Sequence, residues 1–236
     1  MTAELLEAQG LEAAYGRVQV LWGAGLSVRE RETVVLLGAN GAGKTTLLKV
    51  LMGLIAASAG EVRFQGQDIT RLRTDRRVRL GIVYMSETSG FPGLTIAENI
   101  RIGGQFVGAA ELRRRTAELY TVFPALAERR RALASSLSGG QRKMLGVAKA
   151  LAAGPKLLVM DEPSAGLSPL FVKEVIHVLA RFREQGLSLL IAEQNVKFLE
   201  LADRVYTLDG GRIGFAGTVP QMRADDAIRR AYFGLK

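Results

Sequence analysis

Gly38-Ala39-Asn40-Gly41-Ala42-Gly43-Lys44-Thr45 fits the pattern G-x-x-x-x-G-K-[S/T], between the apolar run Thr33–Leu37 (TVVLL) and an apolar stretch that reads as a helix from about Thr45. Strand, glycine turn and helix in succession predict a parallel sheet covered by helices, which buries uninterrupted apolar strands on both faces. In such a turn the glycines let successive backbone N–H groups face inward around phosphate oxygens, and the helix start adds the positive end of its dipole. Lys44 is then expected to reach the β- and γ-phosphates of a nucleoside triphosphate, and the Thr45 hydroxyl to ligate Mg²⁺.

Two further apolar runs, 157–160 (LLVM) and 187–192 (LSLLIA), read as buried strands. The first ends in Asp161-Glu162, two carboxylates expected beside the phosphate loop. Asp161 would orient the water shell of Mg²⁺, and Glu162 would polarise the water that attacks the γ-phosphate. Taken alone, a strand ending in Asp-Glu is as often the start of a polar loop; the phosphate loop tips the reading towards chemistry. Leu137-Ser138-Gly139-Gly140-Gln141 opens a helix through about Ala152, with Met144, Leu145, Val147, Ala148 and Leu151 forming an apolar stripe. Ser138 is a natural N-cap, and the glycines behind it leave backbone donors uncovered, so this start is a second anion site. Two phosphate-binding ends on one chain suggest that they share a ligand. A capped helix and nothing more would be preferred were the phosphate loop missing.

Residues 4–29 and 60–65 carry short alternating segments that predict an antiparallel lobe, and 95–154 turns helical, opening on a capping box of Thr95 and Glu98. Residues 204–209 and 212–216 around Gly210-Gly211 read as a hairpin, with a short helix to follow. With no repeat or low-complexity linker, residues 1–236 are expected to form a single domain with a helical subdomain over about 95–154. With Cys 0 and His 1, disulfides, thiolate zinc sites and histidine-held metals are excluded, so any metal must be held by oxygens. Lys+Arg 32 against Asp+Glu 23 gives a net charge of +9 and invites an anionic partner. No apolar run approaches the roughly 18–20 residues that span a bilayer, and acidic residues stand where a signal peptide is basic, so a cytosolic protein is expected.

Phosphate loop, LSGGQ and strand-terminal Asp161-Glu162, in this order, resemble the nucleotide-binding subunits of ABC (ATP-binding cassette) transporters over nearly the whole chain. The resemblance implies an α/β P-loop NTPase of the ABC ATPase type, with an antiparallel β lobe and a helical insert. It implies a head-to-tail dimer, homo- or heteromeric, that sandwiches two ATPs. Each ATP would be held by Gly38, Asn40, Gly41, Ala42, Gly43, Lys44, Thr45 and Thr46 of one subunit and by Ser138, Gly139, Gly140 and Gln141 of the other. Tyr15 matches the aromatic that stacks on adenine, with a packed strand tyrosine as the alternative. The stretches at 81–87, 91–99, 162–169 and 191–195 are similar to the LivF-type ATPases of branched-chain amino acid importers, which implies transmembrane permease partners and a peripheral seat on the cytoplasmic face of the inner membrane.

Departures from the general ABC pattern bear on mechanism. Glu87 stands where most members carry a glutamine linking Mg²⁺ to the membrane-coupling loop, and Gln194 where most have a histidine contacting the γ-phosphate. An amide donates a hydrogen bond but carries no proton near neutral pH. Ser168 replaces an aspartate often found after the catalytic glutamate. The arginine clusters at 71–79, 113–115 and 129–131 read first as solvated faces, and second as attraction to lipid heads or acidic permease loops. His177 reads as structural, and Trp22 as core or interface. A nucleic-acid-linked ABC ATPase is the competing class; those resemble paired or coiled-coil-interrupted cassettes, so no nucleic acid is expected here. A small-molecule kinase would have no use for LSGGQ. Urea, lipopolysaccharide or another polar solute remain alternative cargos.

Overall fold

Every residue of Thr33–Leu37, Leu157–Asp161 and Ser188–Glu193 is buried, as strands covered on both faces must be. The computed structural model describes residues 4–87 and 90–233. In chain order its elements are β1 (Glu4–Tyr15), β2 (Val18–Arg29), β3 (Thr33–Leu37), α1 (Lys44–Leu51), β4 (Ala59–Phe64), β5 (Gln67–Asp68), α2 (Thr74–Leu80) and β6 (Ile82–Met85). Then come α3 (Ile96–Gly103), α4 (Ala109–Val122), α5 (Pro124–Glu128), α6 (Gly139–Ala152), β7 (Leu157–Asp161), α7 (Pro169–Glu184) and β8 (Ser188–Glu193). The hairpin β9 (Arg204–Asp209) and β10 (Arg212–Gly217) is followed by α8 (Val219–Ala224) and α9 (Asp226–Phe233), two short helices where the sequence suggested one.

The main sheet runs β10-β9-β3-β8-β7-β6, parallel throughout except for the β9–β10 hairpin. β8 therefore stands between β3 and β7, so the strand that ends in Asp161 is not a direct neighbour of β3. Alternation along β3 sends Val34 and Leu36 into one core with α1 and the second sheet, and Val35 and Leu37 into the other with α6 and α7. The second sheet, β2-β1-β4-β5, is antiparallel, which matches the expected lobe.

Between residues 95 and 154 the chain is helical apart from short connections. The capping box forms: Thr95 Oγ1 accepts from the Glu98 N–H at 3.2 Å, and Glu98 Oε2 accepts from the Thr95 N–H at 2.8 Å. Buried Asn99 accepts from the Phe91 N–H at 2.7 Å and donates to Thr95 O at 2.9 Å, which pins the approach to α3.

The arginine cluster at 71–79 is not wholly a solvated face. Arg77 is 1% exposed and donates to the carbonyls of Leu72, Thr70, Val50 and Leu51 at 2.6–3.1 Å. Burial lowers its pKa to about 10, which leaves it charged at neutral pH. Val50 and Leu51 end α1, so Arg77 caps the helix that the phosphate loop begins. On α4, Arg114 and Arg115 both pair with Glu111, at 2.7 and 2.8 Å, as a surface network. Among the described residues, no helix is long and apolar enough to cross a membrane.

Candidate nucleotide site

The turn after β3 ends at Gly43, whose φ of +104° is open to glycine at little cost and lets α1 begin abruptly. No side chain caps α1, so no side-chain acceptor satisfies its first-turn N–H groups. Asn40, Gly41 and Thr45 are exposed, whereas Ala42, Lys44 and Thr46 are buried. Lys44 Nζ donates to the carbonyls of Gly38 at 2.9 Å and Ala39 at 3.0 Å, and lies 3.0 Å from Glu162 Oε1.

Although β8 intervenes, the side chains bridge it. Thr45 Oγ1 donates to Asp161 Oδ1 at 3.0 Å, and the Tyr84 hydroxyl donates to Asp161 Oδ2 at 2.9 Å. Burial first, then the neighbouring Asp161 charge, pushes the Tyr84 hydroxyl upward and keeps it a donor. Glu162 has a φ of +46°, a left-handed conformation unusual outside glycine and one that tends to mark functional turns. At the end of β8, buried Glu193 accepts from the N–H of Ser164, Gln194 and Asn195 and from the Ser164 hydroxyl, all within 2.7–3.2 Å. It thus joins the turn after Glu162 to the turn that carries Gln194. The Gln194 amide donates to Asn40 Oδ1, across to the phosphate loop.

Thr45 and Asp161 offer a hard-oxygen pair suited to Mg²⁺, which commonly keeps waters and phosphate oxygens in its remaining positions. Among the described residues no group of three or more His, Cys, Asp or Glu side chains converges on a metal position, so such an ion would depend on those outside ligands. Glu87 is exposed after β6, and its carbonyl accepts from Lys143 Nζ at 3.0 Å.

The second helix start is built as a capping box that was not foreseen: Ser138 Oγ accepts from the Gln141 N–H at 3.3 Å, and Gln141 Oε1 accepts from the Ser138 N–H at 3.1 Å. Ser138 and Gly139 are exposed. Gly140 is buried, with Phe171 so close that a Cβ there would lie 2.5 Å from its ring. Among the described residues no hydrogen bond links Ser138, Gly139, Gly140 or Gln141 to the Lys44–Asp161–Glu162 group. Tyr15 ends β1 with 48% of its surface exposed, so it is not a packed core tyrosine. Trp22, 43% exposed, has the Arg212 guanidinium over its ring, and His177 is exposed on α7.

Sequence reasoning missed Tyr84, Glu193 and Lys143. Lys143 left a signal: with Gly140 and Val147 at helical spacing it lies on the buried face of α6, where a charge needs a reason.

The model of the ABC transporter family matches residues 21–165, a span that includes the phosphate loop, LSGGQ and Asp161-Glu162. The high-affinity branched-chain amino acid transport ATP-binding protein BraG of Pseudomonas aeruginosa is 36% identical over 93% of this chain and 95% of its own. The lipopolysaccharide export system ATP-binding protein LptB of Haemophilus influenzae is 34% identical over 98% of this chain and 97% of its own. Among solved structures, the ADP conformation of the ATP-binding cassette MJ1267 superposes with a TM-score of 0.85 at 26% identity, over 99% of this chain and 100% of that one. With that family model over more than half of its length and these relatives over nearly all of it, the chain belongs to the ABC transporter family, as an ATPase subunit whose hydrolysis is coupled to transport.

Proposed function

We propose that this subunit energises an importer of branched-chain amino acids from the cytoplasmic face of the inner membrane. It would pair head-to-tail with a second ATPase subunit, the same chain or another, and dock on transmembrane permeases. The observation that carries the catalytic part is the placement of Lys44 Nζ 3.0 Å from Glu162 Oε1, beside the open start of α1. In this reading the loop N–H groups of Gly41 to Thr46 and the Lys44 ammonium bind the β- and γ-phosphates. Thr45 and Asp161, with Glu87 as a further oxygen ligand, would hold Mg²⁺; the ion, when bound, neutralises phosphate charge. Glu162 accepts a proton from the attacking water, and Gln194, fixed by Asn40, donates towards the γ-phosphate. Tyr15 stacks on adenine, and Ser138 to Gln141 grip the triphosphate of the mate.

Exposure of Asn40 and Gly41 at one helix start, and of Ser138 and Gly139 at the other, supports the pairing, because neither start is closed to a partner. BraG supports the amino-acid cargo, and LptB favours a second reading, lipopolysaccharide export, by nearly equal identity. Glu162→Gln tests the mechanism: turnover should fall at least a hundredfold while ATP still binds, and wild-type turnover would remove Glu162 from the role of base. Cargo is tested by labelled leucine uptake in cells lacking the gene, restored by the wild type and not by Glu162→Gln. Normal uptake with a defective outer membrane would select the export reading.

A further inference from the structure

Lys143 is 6% exposed on α6, and its ammonium joins three separate pieces of chain. Nζ donates to the carbonyl of Glu87, after β6, at 3.0 Å and to the carbonyl of Glu162, after β7, at 3.2 Å. An apolar side chain of similar length would fill this face of α6 without the cost of burying a charge, so filling space does not explain a lysine. The carboxylates of Glu87, Glu193, Asp161 and Glu162 surround it closely enough to offset part of that cost.

The other end of Glu162 is also tied, because its N–H donates to Ala192 O on β8 at 2.9 Å. Its C=O accepts from Lys143 Nζ and also from the Ala165 N–H, at 3.1 Å, so the residue is held at both ends in its left-handed conformation, φ +46°. In that conformation the Glu162 carboxylate lies 3.0 Å from Lys44 Nζ.

We infer that Lys143 is a positioning residue: it holds Glu162 in the left-handed turn and fastens that turn, together with the stretch at Glu87, to the helix that begins at Ser138. Movement of α6 then carries the water-activating carboxylate and the Glu87 stretch with it. The inference rests on the reading of Glu162 as the base.

The test compares steady-state ATP hydrolysis by the protein and its variants Lys143→Met, Lys143→Leu, Lys143→Gln and Glu162→Gln. The donor-free Lys143→Met and Lys143→Leu should lose tenfold or more in kcat, with KM for ATP within about threefold of wild type. Lys143→Gln, whose amide still donates to one carbonyl, should recover most of that loss. A side chain that merely packs predicts normal kcat in Met and Leu, and that result overturns the inference, as does equal loss in Gln. If Met does not fold, Leu against Gln decides. An inactive Glu162→Gln beside an active Lys143→Met defeats this inference alone, whereas an active Glu162→Gln defeats the reading beneath it.

Discussion

Lys44 Nζ sits 3.0 Å from Glu162 Oε1 while donating to the carbonyls of Gly38 and Ala39, so the residue assigned to phosphate and the residue assigned to water hold each other. Phosphate oxygens must compete with that carboxylate for the same ammonium. Neutralising Glu162 therefore weakens the competitor as well as the base. Glu162→Gln should bind ATP as tightly as wild type or a fewfold tighter, measured by equilibrium binding of a fluorescent ATP analogue; a tenfold loss of affinity would show that the pair supports binding.

Gln194 can donate but cannot shuttle a proton. Gln194→His keeps an N–H that can reach Asn40, so ATP turnover should change by less than about tenfold. A hundredfold gain, about 2.7 kcal/mol of barrier, would mean that the natural site is degenerate and that a partner subunit's site does most of the hydrolysis.

Gly140 lets α6 begin against the face of Phe171. A methyl group there would lie 2.5 Å from the ring, so Gly140→Ala must move the ring or the helix start. The expected cost is about 1–3 kcal/mol, read as a lower urea midpoint, with turnover reduced as Ser138 shifts. Adding Phe171→Leu should restore much of both, and a double variant no better than the single would place the damage elsewhere.

Burial pushes the Glu193 carboxyl above its ordinary 4.5, despite the hydrogen bonds it accepts. Because the folded state then holds the proton more firmly than the unfolded chain, this group favours folding below pH 4.5 and that contribution is lost as pH rises through the raised value. Glu193→Gln should flatten this part of the stability profile between about pH 4.5 and the raised value, followed by urea unfolding. Since an amide offers one acceptor oxygen where the carboxylate offers two, the turn at Ser164 and Gln194 should also loosen and turnover fall severalfold. An unchanged pH profile would sink the assignment.

Arg77→Met leaves the Val50 and Leu51 carbonyls buried without their donor. About 3 kcal/mol of stability should go, lowering the melting temperature by roughly 6–12 °C. Arg77→Lys should recover only part, because a single ammonium cannot span the four carbonyls that the guanidinium reaches.

The parts of the fold legible in the sequence were those with strong local period or punctuation. TVVLL before a glycine turn, LLVM before Asp161 and the Thr95–Glu98 box all state their structure within a few residues. The interposed β8 was not legible, since strand order depends on crossovers that no single segment encodes. β6 and α2 escaped because a four-residue strand and an arginine-rich helix of seven residues carry little periodicity. In the site, motif residues stood out by spacing, while Tyr84 and Lys143 act through partners 77 and 19 or more positions away, a relation only the tertiary fold creates. The arginines at 71–79 misled for the same reason: composition cannot tell the buried Arg77 from its exposed neighbours.

The uncapped start of α1 links folding to occupancy. Arg77 secures the tail of that helix, but no side chain finishes its head. Any anion that settles there becomes part of the architecture and raises the free energy of unfolding in step with its concentration. Heat resistance of the isolated subunit would then serve as a gauge of how much triphosphate surrounds it.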